Sequence, residues 1–210
     1  MAAAPRRKPT PRRTQGERRE ATIRKLLDAT TEALIEVGYS GASVQQICAR
    51  AGVSQGGLFR HFATREALMV AAAEDVAAQT LAHYRLEFEA LRDREEPLAL
   101  AMRLVRDHCR SRPNQAWYEL AIAARTNATL RKAIQPIGER YYEHIEHLAR
   151  QILPGEAEAL GDHFPVLVET IIAVFDGEVL HRFVTKKARF DEARIHLLVG
   201  LARMIPSPRT

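Results

Sequence analysis

From Glu17 onward, apolar side chains recur three and four residues apart, at Ile23, Leu26, Leu27, Thr30, Ala33, Leu34 and Val37. That spacing predicts an amphipathic helix, and Gly38 stands where a C-terminal cap glycine belongs. Ser43 can cap a short second helix, Val44 to Ala51, whose buried positions are Val44, Ile47 and Cys48. Gly52 ends it, and Ser54 caps a third helix, Gln55 to Phe62, with Leu58, Phe59 and Phe62 as its apolar face. Thr64 opens a longer helix that runs without a breaker to about Leu91, with Glu66 favouring its positive end. Beyond Pro97 the helical stretches are punctuated at Arg112-Pro113, near Pro136, at Leu153-Pro154-Gly155 and from Gly161 to Pro165. No segment alternates as a strand does and no fixed-period repeat is evident, so the expected fold class is all-α.

The first 16 residues break this pattern. They hold three prolines, five basic residues and no large apolar side chain, a composition that predicts a disordered arm. The arm carries five positive charges and no acid, which equals the net charge of +5 of the whole 210-residue chain. Counting through Arg65 brings the N-terminal part to +7 and leaves −2 for the rest. A basic head on a near-neutral body suits a polyanion, and nucleic acid fits better than a membrane surface because no continuous basic amphipathic helix is present. The expected division is an arm over 1–16, a helix-turn-helix domain over 17–65 and a helical ligand-binding and dimerisation domain over 66–210.

Other features narrow the class. No apolar run approaches the roughly 18 residues of a membrane span, and no apolar core follows the basic N-terminus as a secretory signal requires, so the expectation is a cytoplasmic protein with no membrane partner. Cys48 and Cys109, far apart and inside helix-like segments, read as thiols in a reducing compartment, with neither a disulfide nor a zinc site.

Residues 43–62, SVQQICARAGVSQGGLFRHF, meet the demands of a helix-turn-helix: a supporting helix, a tight glycine turn, and a recognition helix that opens on small and polar residues. Gln55 can donate and accept at an adenine edge, while Ser43 and Ser54 offer hydroxyls and helix-start N–H groups to phosphates. Gly56 and Gly57 each cost about 1 kcal/mol in a helix, a penalty that makes sense where backbone approaches DNA. The plainer alternative is a loop between two ordinary helices. Arg60, His61 and Arg65 supply cations for docking, and Gln45 completes the candidate DNA-binding set.

Residues 18 to 70 resemble the DNA-binding domain of the TetR family of bacterial regulators. The matching positions are Ala29, Gly38-Tyr39, Ser43, Ile47, Ala49, Ala51-Gly52-Val53-Ser54, Gly57, Leu58-Phe59, His61-Phe62 and Arg65-Glu66-Ala67-Leu68. The resemblance implies three helices in the head and a body of about six more, paired into a homodimer through the last two. It also implies that Ser43 caps the supporting helix against a phosphate, that Gln55, Gly56 and Gly57 enter the major groove, and that Phe59, Arg60, His61 and Arg65 line the backbone. Phe59 stands where the family usually has tyrosine, so a hydroxyl is missing and Arg60 is its candidate replacement; a core aromatic is the other reading of Phe59.

The body is read from its own residues. In HFPVLVETIIAVFDGEVLHRFV apolar side chains cover most of the circumference, which predicts burial on more than one side. With the closing helix, Phe190 to Met204, this segment supplies a surface for a homodimer through 163–184 and 190–204. A pocket for an unknown small-molecule effector is expected between Leu98 and Tyr142, with Met102, His108, Trp117, Tyr118, Tyr141 and Phe175 as candidates alongside Cys109 and Tyr142; each can equally be core. No nucleophile elbow, phosphate loop or cofactor motif occurs, so neither enzyme activity nor a cofactor is expected. The expected function is a sequence-specific transcriptional regulator, a repressor released from a palindromic operator by its effector. The alternative is a helical metal-binding protein or enzyme using His108, His144 and His147, against which a solvated histidine face is the plainer reading.

Overall fold

A computed structural model describes residues 14–91, 94–185 and 190–205. The described residues form ten helices and no strand: α1 (Gln15–Gly41), α2 (Val44–Ala51), α3 (Gln55–Phe59), α4 (Arg65–Glu89), α5 (Pro97–Cys109), α6 (Arg112–Ala124), α7 (Ala128–Ile152), α8 (Pro154–Leu160), α9 (His163–Arg182) and α10 (Asp191–Met204). The all-α expectation holds. Most of the basic arm, residues 1–13, lies outside the described residues.

Helix α1 begins two residues before the expected Glu17 because Thr14 and Glu17 form a reciprocal cap. Glu17 N donates to Thr14 Oγ1 at 3.2 Å, and Thr14 N donates to the Glu17 carboxylate at 2.7 Å. At the other end Gly38 adopts φ 70°, and one further turn follows before Ala42. A side chain at Gly38 would also strike Glu119 of α6, whose carboxylate lies 2.9 Å from the position a Cβ would take. Helix α3 stops at Phe59 rather than Phe62, and the chain turns through Arg60 and His61 into α4.

Pro136 does not break the chain as its sequence context predicts; it sits inside α7. Proline removes the N–H that would pair with the Lys132 carbonyl, but both residues are exposed, so water can satisfy that oxygen. Leu130, Ile134, Ile137, Ile145 and Leu148 are buried along the opposite face, and this burial outweighs the local cost of about 3 kcal/mol. Pro113, by contrast, lies in the first turn of α6, where its missing N–H has no partner to lose.

Two hydrophobic cores result. One joins α1, α2, α3 and the first half of α4 to Ala116, Leu120 and Ala124 of α6 and Leu130, Ile134 and Ile137 of α7. The other lies deeper in the body, around Tyr84, Met102, Phe164 and Phe175. Head and body are thus packed on one another, with α4 contributing to both cores. Ion pairs repeat the connection: the Arg24 guanidinium pairs doubly with Asp75 of α4, and Arg112 of α6 pairs with Glu32 of α1, beside the Arg50–Glu36 pair that ties α2 to α1.

Farther from the head, Glu178 of α9 is a buried carboxylate, and it accepts from Arg110 at the C-terminal cap of α5, from Arg182 at 3.1 Å and from Arg194 of α10 at 2.8 Å. Asp191 faces Arg110 at 2.9 Å. Three cations around one buried acid fix α10 against α5 and α9.

Candidate functional site

Ser43 and Ser54 repeat one local device. Ser43 Oγ accepts from Gln46 N at 3.3 Å, and Ser54 Oγ accepts from Gly57 N at 3.1 Å, so each serine starts its helix. Each hydroxyl still has its own O–H to donate outward, as a phosphate contact requires. Gly52 reverses the chain between the helices with φ 64°, and Val53 N returns to Cys48 O at 3.1 Å. Ile47, Cys48 and Leu58 are buried behind this turn.

What remains outside is the front of α3. Gln45, Ser54, Gln55, Gly56 and Arg60 are exposed, while Gly57 and His61 are half-buried. The two glycines have different reasons. A Cβ at Gly57 would fall 2.9 Å from Val53 Cγ1, so this glycine serves closure of the turn itself; a Cβ at Gly56 would meet nothing within 4 Å, leaving open backbone for an approaching surface. Phe59 is 47% exposed, which removes the core-aromatic reading.

Arg60 and His61 line a cleft together with Arg18, Arg19 and Thr22 at the start of α1. The arginines of α1 entered the sequence reading only as charge. Placing them beside the recognition helix requires the crossing of α1 and α3, a long-range relation that periodicity does not carry.

Arg65 is different from its expected role. Its Nε donates to Ala42 O at 2.9 Å, an Nη donates to Tyr39 O, and its guanidinium lies 4.4 Å from the Tyr39 ring centre. The side chain ties the first turn of α4 to the corner between α1 and α2. Arg65 is therefore a structural cation with Nε and one Nη held by two carbonyls, a role its sequence context does not announce.

The effector candidates do not converge on one cavity. Met102 and Phe175 are fully buried core residues. Tyr118 donates to Asp176 Oδ1 at 2.7 Å and accepts from Asn114 Nδ2 at 2.9 Å, and burial pushes its hydroxyl pKa far up. His108 packs on Tyr84 with ring centres 4.8 Å apart, its Nε2 buried without a partner, and burial lowers its pKa to about 4. Trp117 and Tyr141 alone of the set line a narrow cavity of about 20 Å³ between α4, α6 and α7, room for a water or two. Thr80 and Asn114 share that wall, and the sequence reading missed both, since a cavity between three helices has no local signature.

Both cysteines are buried free thiols, and burial pushes the Cys109 thiol well up. His144 and His147 are exposed on α7, where His144 Nδ1 lies 2.6 Å from Arg140 O and His147 Nε2 lies 3.0 Å from Gln151 Nε2. Among the described residues no group of three His, Cys, Asp or Glu side chains could hold a metal ion. Nor, among them, is any helix long and apolar enough to cross a membrane.

Comparison with known proteins agrees with this geometry. Residues 26–72 match the family described as bacterial regulatory proteins, tetR family. An uncharacterised HTH-type transcriptional regulator of Mycobacterium tuberculosis is 38% identical over 189 residues, 90% of this chain and 96% of that protein. The crystal structure of a transcriptional regulator from Rhodococcus sp. RHA1 superposes with a TM-score of 0.69 at 23% identity, covering 90% of this chain and 99% of that one. The multidrug binding protein EbrR, complexed with imidazole, superposes with a TM-score of 0.64 at 24% identity, covering 90% and 97%. With a helix-turn-helix at its N-terminus and a match along nearly its whole length to a regulator of this kind, the chain belongs to the TetR family of bacterial transcriptional regulators.

Proposed function

We propose that the protein is a repressor that binds a palindromic operator as a homodimer and is released from it by a small-molecule effector. The observation that carries the DNA reading is the open front of α3. Gln55 and Gly56 stand exposed in the first turn after the Ser54 cap, and Arg60 just beyond α3 lines a cleft with Arg18 and Arg19. A glutamine amide so placed can bond the N6 and N7 positions of adenine, and the surrounding hydroxyls, helix-start N–H groups and arginines suit phosphates.

The homodimer is supported by the surfaces of α9 and α10. Val166, Thr170, Ala173, Gly177, Leu180 and Val184 recur along α9 and its C-terminal turn at alternating steps of four and three, and Val166, Leu180 and Val184 are 60%, 41% and 80% exposed. On α10, Leu197, Leu201 and Met204 form a parallel stripe, 62%, 51% and 78% exposed. Apolar seams at this period are what helices bury against a partner, and the small residues Ala173 and Gly177 allow close approach. Two copies joined here present two α3 helices, the arrangement that a two-fold operator requires. Effector response is supported by the cavity against α4, the helix that Arg65 fastens to the head, and by the ligand-bound solved neighbour.

The direct test is Gln55→Ala assayed on DNA upstream of the protein's own gene and on random DNA. Affinity for the upstream site should fall by about thirtyfold for each half-site, the middle of the roughly 1–3 kcal/mol of a bidentate base contact, with random DNA unchanged within about twofold. Equal losses on both would remove Gln55 from base readout.

A further inference from the structure

We propose that the cavity between α4, α6 and α7 takes a small uncharged ring compound bearing a hydrogen-bond donor, a phenol or aromatic alcohol, and that Trp117 moves outward to admit it. The proposal rests on the effector-responsive reading above and specifies its ligand. No charged side chain lines the cavity, so an ionised ligand would lose its hydration with nothing to replace it. Two of the polar groups on the wall are left as acceptors and suit a ligand donor. Asn114 spends its two amide N–H groups on Cys109 O at 3.3 Å and Tyr118 Oη at 2.9 Å, and the Thr80 hydroxyl donates to Val76 O at 2.8 Å. Asn114 can therefore offer only its carbonyl oxygen, and Thr80 only the lone pairs of its hydroxyl.

The rest of the wall is largely apolar surface. Trp117 and Tyr141 supply ring faces, Val76 and Ile137 supply branched aliphatic surface, and this combination favours a planar ring. At about 20 Å³ the cavity is too small for a ring as it stands. Trp117, however, is a partition, since it also lines the outer cleft between α6 and α7. The residue facing it across that cleft is Gly138, where an added Cβ would lie 3.5 Å from Trp117 Cζ2. Trp117 is a half-buried indole between two spaces, over a glycine, and is therefore the wall whose outward shift would join them and enlarge the inner one. The wall residues Val76 and Thr80 belong to α4, so filling this room pushes on the helix whose first turn holds the α1–α2 corner.

Trp117 is the sole tryptophan of the chain, so its emission reports the site directly. The full chain is titrated with phenol, toluene and benzoate under tryptophan-selective excitation, and DNA binding is followed in parallel. Phenol should give a saturable change, toluene should bind about fivefold more weakly for want of one hydrogen bond, and benzoate at least about tenfold more weakly. Thr80→Val should bring phenol down toward toluene and leave toluene unchanged. Ala77→Leu, which fills the cavity, and Gly138→Val, which pins Trp117, should each abolish phenol binding while DNA affinity and melting temperature stay near wild type. Benzoate binding as tightly as phenol, or phenol binding that survives both Ala77→Leu and Gly138→Val, overturns the proposal. So does the absence of any saturable response in a protein that still selects its DNA, which leaves the regulator reading intact. Phenol binding as expected but without release of DNA supports the ligand class and instead overturns the effector reading.

Discussion

At the scale of single residues, the two arginines that flank α3 separate binding from folding. Arg60 is exposed and lines the cleft beside α1, whereas Arg65 is committed to the carbonyls of Tyr39 and Ala42. Arg60→Ala should weaken operator and random DNA alike and lower the slope of log affinity against log salt by about 1 for each subunit of the bound dimer, with the melting temperature unchanged. Arg65→Ala should instead destabilise the protein by about 2 kcal/mol, read from denaturant unfolding, because two charge-assisted hydrogen bonds and a ring contact are lost together. Their sequence contexts are equally basic, and the difference became legible only once α4 was seen to start against the end of α1. Gly57 is a similar case: a glycine expected to face DNA is required first by Val53 behind it. His108 gives a test by pH. Burial lowers its folded pKa to about 4 from an ordinary value near 6.5, so the unfolded chain binds the extra proton between those values. Its contribution is fully present above about pH 6.5 and is lost as pH falls toward 4, by at most about 3 kcal/mol. Comparing the unfolding free energies of wild type and His108→Phe at pH 7 and pH 4.5 should show a shallower fall for the variant; identical falls would exclude His108 as a source of the acid sensitivity.

At the scale of helices, the elements best legible in the sequence are those whose limits are set by adjacent residues. Ser43, Ser54 and Thr64 cap α2, α3 and α4 as their positions predict, because a capping hydroxyl acts on an N–H three residues away. Pro136 misleads for the opposite reason. The burial that carries α7 across it comes from the elements packed against α7, and no local pattern encodes that. The seam of α9 and α10 lies between these cases: its apolar excess is visible in the sequence, but only the fold shows which side faces outward once Phe164, Phe175 and Ile195 are buried. Val184 and Leu201 stand on the outward side, 80% and 51% exposed, so charge there should not disturb the fold of one chain. The combined variant Val184→Glu with Leu201→Glu should sediment as a monomer of 23.6 kDa with wild-type helicity, where the parent sediments at twice that mass. A monomeric parent would contradict the interface. The buried Glu178 with its three arginines sits behind this face and holds α9 and α10 in one relative position.

For the whole molecule, the relevant fact is the continuity between head and body. The core of the head includes Leu120 of α6 and Ile134 of α7, and the Arg112–Glu32 pair crosses the same junction. Helix α4 runs from the Arg65 anchor at the α1–α2 corner to the wall of the body cavity, and in the proposed function it is the element that would carry a displacement in the body to the head. In a dimer, that displacement would change the distance between two recognition helices, on which binding to a two-fold site depends. All of this presupposes that α3 reads sequence. The most direct measurement is a fluorescence-anisotropy titration of the full chain at physiological salt, with DNA upstream of its own gene and random DNA of equal length. The expected result is binding to the upstream DNA at least about a thousandfold tighter than to random DNA. Equal affinities for the two, on this and on every operator candidate selected from a random pool, would contradict sequence-specific recognition by α3.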